Sequence, residues 1–270
     1  MITTEGTQAN QVFASSWDQW LNSPAGKYIL NWEKNQYNQS VIDCFGFQAL
    51  QIGTPQLSSL KENRIPNRFL MLTPESSDAH ITNSSQIEYC LGLSNELPFA
   101  NESFDLITLP HTLEFSENPH DVLREVNRIL RPEGRIVISG FNPISLWGLR
   151  QKLGHLTGHP FLPIEGQFIS HLRIKDWLKV LDFAIDRGRF GCYRFPSKGD
   201  YAKSRVELME KAGDRWWPIF GSVFILSAVK RIPGIKLIGR IQSKRAPLRS
   251  SLAPVTQNSS LDKRQSNIYD

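Results

Sequence analysis

The stretch Leu97-Pro98-Phe99-Ala100-Asn101-Glu102-Ser103-Phe104-Asp105-Leu106-Ile107 and its continuation through Pro110-His111-Thr112-Leu113-Glu114 decide the fold. Phe104 to Leu109 reads as a buried strand, and Pro110 ends it because proline has no N–H for a ladder. Asn118-Pro119 then offers a helix cap with proline at the first helical position. Behind it, Val122, Leu123, Val126, Ile129 and Leu130 recur on one helical face. Arg131-Pro132-Glu133-Gly134 turns the chain, and Arg135 to Ser139 forms the next strand, ended at Gly140. Strand, helix and strand in this order make the βαβ unit of a parallel sheet.

The same alternation extends in both directions. Upstream, short strands are predicted at Ala49 to Ile52, Arg68 to Leu72 and Ile87 to Leu91, closed by Gly53, Thr73-Pro74 and Gly92. Downstream come a helix from about Ile174 to Phe183, a sixth strand within Phe183 to Tyr193 and a seventh at Val223 to Val229. Residues 14–45 carry helical spacing through Trp17, Trp20, Leu21, Tyr28, Ile29 and Trp32, split at Pro24 and Gly26. These elements imply an α/β sheet covered on both faces, with ligands at the carboxyl ends of the strands. We assign residues 1–45 to an N-terminal helical segment packing on the domain and 46–232 to the domain itself. Residues 141–170 are an insert that would act as a substrate lid, and 233–270 a basic, disordered tail.

The net charge of +5 is uneven. From Lys230 to Asp270 nine basic residues face two acidic ones, so the body is slightly acidic and nucleic acid is not a favoured partner. The basic end allows peripheral contact with an anionic membrane through the tail. The three cysteines, Cys44, Cys90 and Cys192, are too few and too scattered for a disulfide framework. With no signal peptide at the start, a cytoplasmic setting is expected. The apolar run Trp216 to Val229 is shorter than the about 20 residues of a spanning helix. It reads as a buried strand with an aromatic approach, a lipid-interface element being the lesser alternative. His155 and His159 stand at metal-like spacing but lack a third ligand nearby, so no metal site is assigned.

The segment from Leu97 to Ile107, followed by His111-Thr112-Leu113-Glu114 and by Leu123-Arg124-Glu125-Val126 with Arg128-Ile129-Leu130, Pro132 and Gly134, resembles the class I S-adenosylmethionine-dependent methyltransferases of the type 11 group. Gly140-Phe141-Asn142-Pro143 and the Trp-rich N-terminal helix are similar to a divergent proteobacterial subgroup. The resemblance implies a Rossmann-like, seven-stranded, mostly parallel sheet and S-adenosylmethionine as methyl donor.

The family's donor contacts fall on Gln51 and Gly53 after the first strand, on Glu75 after the second, on Leu93 and Ser94 after the third, and on Leu109 at the end of the fourth. Gly-x-Gly-x-Gly is reduced here to Gly53-Thr54-Pro55, and Gln51 and Leu93 stand where the family has acids. His111 is placed where a general base would sit, or it is a pocket-lining polar residue. Glu114 is expected to bond backbone in the turn, and Asp105 to fix the strand or the preceding loop. Asn142-Pro143 is expected to cap the following helix. Two functions follow from these residues. One is methyl transfer to a small-molecule, small or lipophilic acceptor. The alternative is a non-catalytic methyltransferase fold serving as a ligand-binding or interaction protein.

Overall fold

Along each central strand apolar residues alternate between two faces, the period that a pleated strand imposes. Ala49, Leu106, Val137 and Ile225 belong to one buried cluster, while Leu50, Ile107, Ile136 and Leu226 belong to the other. The computed structural model describes residues 16–72, 87–158, 162, 168–194, 210, 213 and 215–232. Among them are the strands β1 Gln48–Ile52, β2 Asn67–Leu72, β3 Glu88–Leu91, β4 Phe104–Pro110, β5 Leu130–Phe141, β6 Phe183–Gly191 and β7 Val223–Lys230. They form one sheet in the order β3-β2-β1-β4-β5-β7-β6. Only β7 runs against its neighbours, pairing antiparallel with both β5 and β6. The strand order reverses between β1 and β4, which opens a crevice at their carboxyl ends.

The helices are α1 (16–22), α2 Pro24–Val41, α3 Thr112–Phe115, α4 Pro119–Ile129, α5 Leu146–Leu156 and α6 His171–Val180. Ser23 separates α1 from α2 by accepting a hydrogen bond from Gly26 N at 3.2 Å, with Pro24 in the first turn. Gly26 is therefore not a breaker. It lies inside α2 because a Cβ there would come 2.3 Å from Trp20 O. No α-helix joins β1 to β2: a single 3-10 turn, Pro55–Leu57, lies in that connection. Leu57, Leu60 and Ile65 of the connection pack with Ile29, Leu30, Tyr37 and Val41, so the N-terminal helices cover that face.

Several boundaries differ from the sequence reading: β4 includes Pro110, β5 runs on to Phe141, and α6 ends at Val180 rather than Phe183. Strand β5 reaches back to Leu130 because Leu130 pairs with Phe104, and a register shift before Leu106 takes up the Arg131–Gly134 turn. Helix α6 begins at His171 rather than Ile174, since Ser170 accepts from Arg173 N and caps it. Glu75, the 233–270 tail, residues 1–15 of the N-terminal segment and much of the second half of the 141–170 insert lie outside the described residues.

Candidate active site at the carboxyl ends of the strands

The turn after β1 is built by side chains that fold back on it. Gln51 is buried, and its Nε2 donates to Thr54 O at 2.9 Å. Its Oε1 accepts from Ser59 N at 2.9 Å and from Ser59 Oγ at 2.8 Å. Ser59 Oγ lies 2.6 Å from Thr108 Oγ1 of β4. Every polar atom of Gln51 thus holds the turn, and its side chain offers nothing to a ligand. Gly53 has φ of +84°, and a Cβ added there would stand 3.0 Å from Thr112 Oγ1. Only glycine takes this conformation without strain and leaves the backbone open to close approach.

Two threonines tie the turn to the end of β4. Thr54 Oγ1 donates to Pro110 O at 3.1 Å, and Thr112 Oγ1 donates to Ile52 O at 2.6 Å. Leu93 and Ser94 follow β3 on the same edge, with Leu93 exposed and Ser94 half-buried. Leu109 is wholly buried in the core with Leu113, Val126 and Ile138.

His111 is the left-handed residue after β4, with φ of 55°. Its N donates to Ser139 O at 3.2 Å, which anchors this uncommon conformation. The ring lies between two carboxylates. Nδ1 donates to Glu114 Oε2 at 2.8 Å, and Nε2 stands 3.0 Å from Glu33 Oε1 of α2. The second contact is off the angle of a hydrogen bond and acts as an ion pair. Burial alone would lower the His111 pKa, but the Glu33 charge and the Glu114 hydrogen bond outweigh it and raise it to about 10. At neutral pH the ring keeps its proton, which argues against the general-base expectation: a base must first be free to accept one. Burial pushes the Glu114 carboxyl up, partly opposed by His111. Its Oε1 also accepts from Phe141 N, so the backbone that Glu114 bonds is the end of β5 rather than its own turn, and it pairs with His111 besides.

Glu33 is the residue that sequence reading missed. Ile29, Glu33, Tyr37 and Val41 are all buried on α2, four residues apart. A carboxylate on the apolar stripe of a helix was the available signal, because such a group needs a cation inside. Around the cluster, Trp17 Nε1, Tyr37 Oη, Ser139 Oγ and Glu33 Oε2 are buried without a hydrogen-bond partner. The Trp17 ring stands edge-on to His111 with centroids 5.5 Å apart, and Phe141 tilts over it at 4.6 Å.

The motif that decided the fold is a scaffold. Arg128 donates to Phe99 O at 2.8 Å, to Leu97 O at 3.0 Å and to Glu125, and Glu125 accepts from Leu97 N at 3.0 Å. Pairing with Arg128 holds the Glu125 carboxyl below its ordinary value. Asp105 accepts from Phe47 N at 2.7 Å and Gln48 N at 3.0 Å and pairs with Arg131, which fixes the entry to β1. Asn142 does not cap α5. It donates to Ile219 O and Gly221 O, while Ser145 Oγ accepts from Gly148 N at 3.0 Å and is the cap. The Asn-Pro turn instead ties the end of β5 to the approach to β7.

Among known proteins, residues 71–138 match a family model described as "Methyltransferase domain". The chain is 30% identical over 168 residues to the Escherichia coli protein "Uncharacterized protein YafS", covering 62% of this chain and 65% of the relative. It is 28% identical over 127 residues to "2-methoxy-6-polyprenyl-1,4-benzoquinol methylase, mitochondrial" of Pongo abelii, covering 47% of this chain and 35% of the relative. The chain thus spans less than two thirds of the length of either relative. A Thermotoga maritima S-adenosylmethionine-dependent methyltransferase structure superposes with a TM-score of 0.58 at 15% identity, covering 83% of this chain and 99% of that one. Sheet order and family match agree: residues 71–138 match the methyltransferase domain, on a fold shared with a solved S-adenosylmethionine-dependent methyltransferase.

Proposed function

We propose that this chain transfers a methyl group from S-adenosylmethionine to a lipophilic, electron-rich acceptor of the quinol type. The observation that supports this most is the Gly53 turn, a backbone cradle that a Cβ would fill, at the switch point of this sheet. In the described crevice the donor would be held by backbone at Gly53 and by the Leu93–Ser94 turn. The carboxylate usual to the family is replaced by Gln51, already hydrogen-bonded within the turn. When bound, the donor supplies an electrophilic methyl on a sulfonium.

The chain's own part is placement. Thr54 and Thr112 set the spacing between the β1 turn and the end of β4. The His111 cluster fixes the turn that carries Thr112. Since His111 already holds its proton, orientation of a nucleophilic ring is the better supported route than proton abstraction. The printed name of the Pongo abelii relative, a polyprenyl benzoquinol methylase, supports an acceptor of that class.

Calorimetric titration with S-adenosylmethionine and S-adenosylhomocysteine should show binding that Gly53→Asp abolishes. Labelled methyl transfer to a short-chain quinol under reducing conditions tests the acceptor. A folded protein giving no heat at millimolar donor overturns the reading.

A further inference from the structure

Helix α5 has two faces, and among the described residues only one of them is buried. Trp147, Gly148, Gln151 and Gly154 face inward and are buried. Leu146, Leu149, Leu153 and Leu156 recur at spacings of three and four on the opposite face, and all are exposed, from 49% to 84%. Arg150 borders this stripe on one side and Lys152 on the other. The turn before β7 adds Trp216 and Trp217, 69% and 62% exposed, next to Arg215. Asn142 joins the two pieces, since its side chain bonds Ile219 O at 2.7 Å and Gly221 O at 2.9 Å just ahead of α5. Phe141 pairs with Val223, so the chain enters α5 and leaves the tryptophan turn at the end of the sheet where Gly53 lies.

We propose that this platform docks on an anionic lipid bilayer. The charge pattern selects that occupant. Residues 142–158 and 215–232 contain no Asp or Glu, while Arg150, Lys152 and Arg215 ring the apolar surface. Leucines flanked by cations with paired tryptophans suit the boundary between headgroups and acyl chains. No described helix is long and apolar enough to cross a membrane.

The test is flotation of the full chain with phosphatidylcholine vesicles, with and without phosphatidylglycerol. Binding is expected to the mixed vesicles, weaker binding to phosphatidylcholine alone, and a loss of at least about tenfold in Leu149→Glu/Leu153→Glu. Both positions are more than half exposed, so the variant keeps its fold, checked by its melting curve. No binding by the full chain overturns the proposal. Binding that survives the double change also overturns it and assigns adsorption to the basic end of the chain. A dimer that the double change converts to a monomer, without vesicle binding, gives the platform to a second copy and overturns it as well.

Discussion

His111 sits between Glu33 and Glu114 with almost no access to solvent, and its proton belongs to the folded state. Its ordinary value of 6.5 is raised to about 10. The stability this provides is present in full below about 6.5 and is lost as pH rises toward 10. Glu114, raised by burial, acts in the same direction, because a carboxyl raised on folding costs stability as it ionises. Denaturant unfolding from pH 6 upward should therefore show falling stability, and His111→Ala should change the shape of that fall, since the two carboxylates then titrate without the imidazolium. At neutral pH that substitution leaves two buried carboxylates without their cation and should cost about 3–5 kcal/mol. An unchanged profile in the variant would show that the proton is not held there.

At the scale of elements, two contacts decide how pieces meet. Helices α1 and α2 touch at Gly26, where a Cβ would lie 2.3 Å from one backbone oxygen and 2.5 Å from the Leu21 Cα. Backbone cannot yield as a side-chain tip can, so Gly26→Ala should cost about 1–3 kcal/mol as overpacking. Near-ultraviolet circular dichroism should report the displaced Trp17 and Trp20, whose rings stack at 5.2 Å. The second contact is the Arg128 clamp. Arg128→Met keeps the stem but removes the bonds to Leu97 O and Phe99 O, and should cost about 1–3 kcal/mol in urea unfolding. Because these carbonyls belong to the loop leading into β4, the loss should appear in hydrogen exchange of residues 97–103 before that of the sheet.

Over the whole molecule, the sheet is most buried at its centre. β4, the inner part of β5 and the first part of β7 are nearly all buried, whereas β6 is mostly exposed along one edge and β3 half-open at the other. Hydrogen exchange should follow that order, slowest in β4 and β5 and fastest at β3 and β6. Uniform rates across the sheet would contradict it. The strand set and α4 were readable in the sequence because continuous apolar runs, proline stops and one-sided helical stripes are local signals. Residues 97–140 carried the family resemblance for a related reason: Leu97, Phe99, Glu125 and Arg128 brace one loop against one helix, so their spacing is set within one βαβ unit. The site was less readable. Gln51 stood where a donor ligand was expected, but Ser59 and Thr108 engage it, and only the folded turn brings these together. His111 was read as a general base or a pocket-lining polar residue, and the structure buries it between two carboxylates. Its protonation depends on Glu33, which arrives from an N-terminal helix covering the face where no α-helix links β1 to β2. Local periodicity and turn chemistry thus determined which elements form and in what order. Tertiary packing decided which charges meet in the interior, since the low-dielectric surroundings that set a pKa exist only once the chain has closed around them.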